Sequence, residues 1–116
     1  MSAPVLIEPP PGAGFKDKVR FKFTWFRRLR ADERVSIYVR SADGSASFDW
    51  WVSEADLLAG GGAIYAQDDG FVYEVNSGIG PLPPGEAAWR VAIYLDTPSA
   101  KRQISPWSPE RRIIAQ

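Results

Sequence analysis

The side chains of this chain that could do chemistry are carboxylates, arginines and tryptophans. There is no histidine and no cysteine among its 116 residues. That removes the commonest general base, the usual zinc ligand and every serine–histidine or cysteine–histidine pair. The acidic candidates are Asp68-Asp69, followed by Gly70, and the group Asp49, Glu54 and Asp56. Paired carboxylates hydrolyse a glycoside only when a cleft holds them at a defined separation. A small chain without large insertions offers little cleft, and Asp-Gly supplies turn geometry by itself. The spacing of Asp49, Glu54, Asp56 and Asp68 reproduces no calcium loop. Gly60-Gly61-Gly62 lacks the Gly-Lys-Ser/Thr that completes a phosphate loop and reads as a tight turn. No catalytic, cofactor-binding or metal-binding residue is therefore assigned, and the chain is expected not to be an enzyme.

Binding chemistry has better candidates. Arg27, Arg28 and Arg30, with Arg34 and the neighbouring Lys18, Arg20 and Lys22, form a basic group. A phosphate binder usually carries net positive charge over its domain, whereas this chain has a net charge of zero. Nucleic acid is not expected; a salt-bridged face or contact with a protein partner or neighbouring domain is. Trp51, Trp107 and Tyr94 are the aromatic candidates for an exposed surface. Exposed tryptophans on a β-sandwich can stack on sugar rings, which keeps a polysaccharide ligand as an alternative. Against it, Pro106 and Pro109 stiffen the segment around Trp107, and Arg90 is placed to cover that ring by a cation–π contact.

The elements that must position these residues are short strands. Ten glycines and ten prolines separate short apolar runs, as in an all-β chain. Residues 18–26, KVRFKFTWF, alternate between a buried and a basic face. Residues 4–8, 34–40, 63–67, 71–76, 87–96 and 111–115 also read as strands. The 9–14 segment reads as a proline turn, and 97–110 as an irregular return. In residues 48–52, FDWWV, Phe48, Trp50 and Val52 share one face, and Asp49 and Trp51 the other. Trp50 is expected in the core. Trp51 is expected either under a helical turn at 54–59, docked by Leu57 and Leu58, or exposed at an interface. Ser53 with Asp56 supplies the N-cap of that turn, and Gly60 its stop.

Charge is unevenly spread along the chain. Residues 1–41 carry +5, residues 42–86 carry −8 and residues 87–116 carry +3. Adjacent basic and acidic strands would neutralise one another. If they instead separate in space, the molecule is dipolar and self-association follows. No apolar run is long enough to insert in a membrane, and the start of the chain has no signal-peptide pattern.

The order PVLIEPPPG, VRFKFTW, ERVSIYVR, LPPGEAAWRVAIYL and SPWSPERRI resembles a fibronectin type III domain of the divergent kind found in bacterial multidomain proteins. Trp25 matches the tryptophan that ends the second strand. Leu82, Pro84 and Gly85 match the approach to the sixth, and Ser105-Pro106-Trp107-Ser108 the element before the last. Ala87 stands where the family usually has a tyrosine that ties down the preceding loop. The resemblance implies an all-β, two-sheet antiparallel immunoglobulin-like sandwich of about seven strands over residues 1–116. It also implies a spacer or protein–protein interaction module of a larger bacterial protein, extracellular or on the cell surface.

Overall fold

A computed structural model describes residues 2–78 and 82–116. Among them the elements are β1 (Val5–Glu8), β2 (Ala13–Phe15), β3 (Lys18–Trp25), β4 (Glu33–Ser41), β5 (Ser47–Val52), α1 (Glu54–Ala59), β6 (Ala63–Gln67), β7 (Gly70–Gly78), β8 (Gly85–Thr97), β9 (Ala100–Gln103) and β10 (Arg111–Ala115). Two sheets pack as a β-sandwich. The first has the order β1-β3-β7-β6, and the second β2-β10-β8-β4-β5 with β9 also beside β8. The loop expected between β7 and β8 includes residues 79–81, which lie outside the described residues.

Alternation on the central strands builds the core. Phe21, Phe23 and Trp25 of β3 face Val35, Ile37 and Val39 of β4 and Trp89, Val91 and Ile93 of β8 across the sandwich. Phe21 meets Trp89 with ring centroids 4.6 Å apart, and Phe23 stacks on Tyr73 at 5.2 Å. Such aromatic pairs add attraction beyond the area they bury.

The strand number and the pairing differ from expectation. Among the described residues there are ten strands rather than about seven, and the second sheet is mixed rather than purely antiparallel. Gly12 adopts φ +79°, which turns the chain out of the proline segment and aims residues 13–15 back along the sheet. β2 then pairs in parallel with β10, Ala13 opposite Ile113 and Phe15 opposite Ala115. The segment after residue 97 is not wholly irregular either. Thr97 Oγ1 accepts from the Ala100 amide at 3.0 Å, closing a tight turn from which β9 returns along β8. β9 and β10 flank different halves of β8, and Ser105–Pro109 interrupt what would otherwise be one strand.

The helical turn forms where Ser53 predicts it. Ser53 Oγ accepts from the Asp56 amide at 3.0 Å. Only Leu57 docks, however; Leu58 remains 48% exposed. Neighbouring helical residues diverge by about 100°, so a single turn lying on the sandwich can bury one of the pair but not both.

Candidate interaction surface

The outer face of the second sheet gathers the three aromatic candidates, Trp51, Tyr94 and Trp107. Along β4 the outward positions are Arg34, Ser36, Tyr38 and Arg40, because Val35, Ile37 and Val39 fill the core. Register sets Ser36 between Trp51 of β5 and Ala92 of β8, and Tyr38 between Asp49 and Arg90. Tyr94 lies one outward step beyond Ala92. The small Ala92 leaves room for the larger rings on either side of it.

Trp107 reaches this face through the break between β9 and β10. Proline has no amide hydrogen to give a ladder, so Pro106 and Pro109 cannot continue the strand. Two serines take over the pairing. Val91 N donates to Ser108 Oγ at 3.0 Å, while Ser108 N donates to Val91 O at 2.9 Å. Ile93 N donates to Ser105 Oγ at 2.9 Å, and Ile93 O accepts from Ile104 N at 2.9 Å. Both serines are buried. The three-residue spacing of Ser105 and Ser108 thus serves alternate residues of β8, and the bulged segment between them turns Trp107 onto the outer face.

The resulting strip is continuous. Trp51 packs on Tyr94 with centroids 4.5 Å apart. Tyr94 meets Trp107 edge-on at 6.1 Å, and Tyr38 meets Trp107 at 6.3 Å. The Arg90 guanidinium lies 4.1 Å over the Trp107 ring and 5.2 Å from that of Tyr38. Lys101 stands over Trp51 at 5.8 Å. Trp51 is therefore neither under the helix nor free. α1 lies against β6 and β7 of the other sheet, and Trp51 is half-buried between Tyr94 and Lys101.

Electrostatics around the strip are mixed. Arg40 forms a two-pronged pair with Glu110 at 2.8 Å on each arm, which holds the Glu110 carboxyl below its ordinary value. Asp96 takes Lys101 and, at 3.8 Å, Arg34. Asp49 accepts from the Ser36 hydroxyl. Burial pushes the Tyr94 phenol up, and the nearby Asp49 carboxylate adds to the shift. Among the described residues, two buried side-chain nitrogens lack a hydrogen-bond partner, Trp89 Nε1 and Arg90 Nε. Arg90 is thus fixed by rings rather than by a counter-ion.

The basic candidates lie elsewhere. Arg27 grips both oxygens of Glu33 at 2.7 and 2.8 Å, and Arg28 grips Glu54 at 2.9 and 2.7 Å. The amides of Arg30 and Leu29 donate to the same two carboxylates. The Tyr73 hydroxyl donates to the Arg27 carbonyl at 2.8 Å. This tie from β7 secures the 27–33 loop. Arg27 holds the Glu33 carboxyl below its ordinary value against the opposing effect of burial. Burial pushes Glu54 up, but Arg28, the Leu29 amide and Tyr73 bring its net shift downward. Arg28 and Arg30 are both exposed, whereas Arg27 is half-buried. Folding also joins the oppositely charged stretches of sequence, through Arg20–Glu74, Arg28–Glu54 and Arg112–Glu86.

A hollow of about 450 Å³ lies between β1 and β10, lined by Pro4, Val5, Leu6 and Pro109 with Glu110, Arg111 and Arg112. Its charged residues are all engaged: Glu110 with Arg40, Arg112 with Glu86, and Arg111 with the Leu6 and Ile7 carbonyls. Among the described residues no three acidic side chains converge in a way that could hold a metal ion.

Tyr38 and Lys101 were not anticipated as members of the strip. The outward phase of β4 points to Tyr38, since Val35, Ile37 and Val39 claim the core. Lys101 becomes legible only once β9 is known to return along β8. No protein-family model matches the chain, and no curated protein matches it.

Proposed function

We propose that this chain is a non-catalytic, fibronectin type III-like module that serves as a spacer or protein–protein interaction domain of a larger bacterial protein. Its contact surface is the strip of Trp51, Tyr94, Trp107, Arg90 and Tyr38. The observation that carries this reading is that these large side chains leave the core and are held rigid by one another on one open sheet face. Aromatic residues and arginine are the side chains that protein interfaces favour, and rings already fixed in place lose little entropy on contact. An extracellular or cell-surface setting goes with the resemblance.

A photo-crosslinking side chain placed at Ser47 or Gln103, both exposed on that face, tests the reading in the host cell. Lys16 and Asp17, exposed elsewhere, serve as controls. Polypeptide adducts from the first two positions alone are expected. Equal adducts from all four positions, or none from the first two, would contradict the reading.

The gathering of Trp51, Tyr94 and Trp107 on one face favours a second reading, a polysaccharide-binding module. It is the weaker one, because sugar stacking needs an open ring face. Trp107 has Arg90 over its face, and Trp51 lies between Tyr94 and Lys101. Quenching of tryptophan fluorescence by a polysaccharide, lost in Trp51→Ala, would favour this reading over the first.

A further inference from the structure

The strands at the sheet margins differ in how they are defended. Pro4 precedes β1, and Glu8 with Pro9, Pro10 and Pro11 ends it. β2 has three residues, β5 carries Asp49, and β9 carries Lys101 and Arg102. Proline, charge and shortness all blunt an open edge. β6, Ala63-Ile64-Tyr65-Ala66-Gln67, has neither charge nor proline. Among the described residues it pairs only with β7, and Tyr65, Ala66 and Gln67 are exposed. In an antiparallel pair, alternate residues of an edge strand aim their N–H and C=O groups away from the neighbour. That row of groups is complementary to another strand.

We propose that β6 is a self-pairing edge, joining two copies of this chain antiparallel about a two-fold axis. A second copy is the occupant that fits. The strand is uncharged, so pairing with itself sets no like charges opposite each other. Pairing with β1 of another copy would bring its flanking prolines and Glu8 to the junction. The two-fold arrangement also closes, which a head-to-tail contact need not do. With Tyr65 opposite its mate, Ile64 faces Ala66, and the cross-strand row Val5, Thr24, Val72, Tyr65 runs on into the second copy. The Asp68-Asp69 turn of each copy then lies beside the mate's Gly62, next to the Ala63 row in which Lys22 is balanced by Glu74. The aromatic strip lies on the other sheet of each copy and is not covered by this contact.

Sedimentation of the full chain across a concentration series tests the proposal. The native chain is expected to pass from monomer to dimer as concentration rises. Tyr65→Lys and Tyr65→Asp each set like charges at the two-fold position and should weaken association at least about tenfold. Mixing the two variants should restore a dimer, since the charges are then opposite. That rescue cannot come from variants that fail to fold, and far-UV circular dichroism checks both. A native chain that stays monomeric at high concentration would overturn the proposal. So would variants that dimerise as the native chain does, or a mixture that does not associate.

Discussion

Ser108 and Glu33 show at the residue scale how polar side chains hold this sandwich together. Ser108→Ala removes the only acceptor of the Val91 amide while leaving that amide buried. An orphaned buried donor costs about 1–3 kcal/mol, and urea denaturation should show a loss of that size. Ser99→Ala, in an exposed turn, should change stability by less than about 0.5 kcal/mol. Glu33 is buried in the grip of Arg27 and the Arg30 amide, so its folded-state carboxyl titrates below the ordinary value of 4.5. Above that value both folded and unfolded forms are ionised, and the stabilisation is fully present. On acidification the unfolded form takes up its proton first, and the stabilisation is lost as pH falls through the folded value. Thermal melts between about pH 5 and about pH 3 should therefore show a steeper loss for the native chain than for Glu33→Gln. A parallel pH dependence of the two would contradict this role for Glu33. The serine pair was visible in the sequence as an element, but its task was not, because the β8 amides it serves become its neighbours only on folding.

The legibility of each element followed the strength of its local pattern. β3 was readable throughout, since Val19, Phe21, Phe23 and Trp25 alternate with charged or hydroxyl side chains and one residue slip would expose them all. α1 was readable from its cap. β2 and β9 were not: β2 is short, without alternation and dependent on β10 far away in sequence, and β9 is four exposed residues with no apolar alternation, returning from a tight turn along β8. Within the candidate surface, the alternation of β5 correctly separated Trp50 from Trp51, whereas the cover of Trp51 by Tyr94 required knowing that β4 lies between their strands. Glycine matters at the start of β6 for steric reasons. A Cβ on Gly62 would stand 2.3 Å from the Glu74 carbonyl oxygen and 2.7 Å from a Leu57 methyl group. Gly62→Ala should push β6 off β7 and undock α1, costing about 1–3 kcal/mol in chemical denaturation.

Across the whole molecule, folding joins part of the segregated charge: among the described residues, seven of the fourteen basic side chains pair with carboxylates. Arg20, Arg28 and Arg112 each bridge to the acidic middle of the sequence. Each sheet has its own proposed outward role, an aromatic contact strip on the second and a self-pairing strand at the margin of the first. That the strip is a contact surface is tested by hydroxyl-radical footprinting of the chain alone and within the assembly it belongs to. Oxidation of Trp51, Tyr94 and Trp107 should fall in the assembly, while that of Phe26, 47% exposed and remote from the strip, should stay the same. Equal oxidation of the three strip residues in both states would rule out a contact surface there.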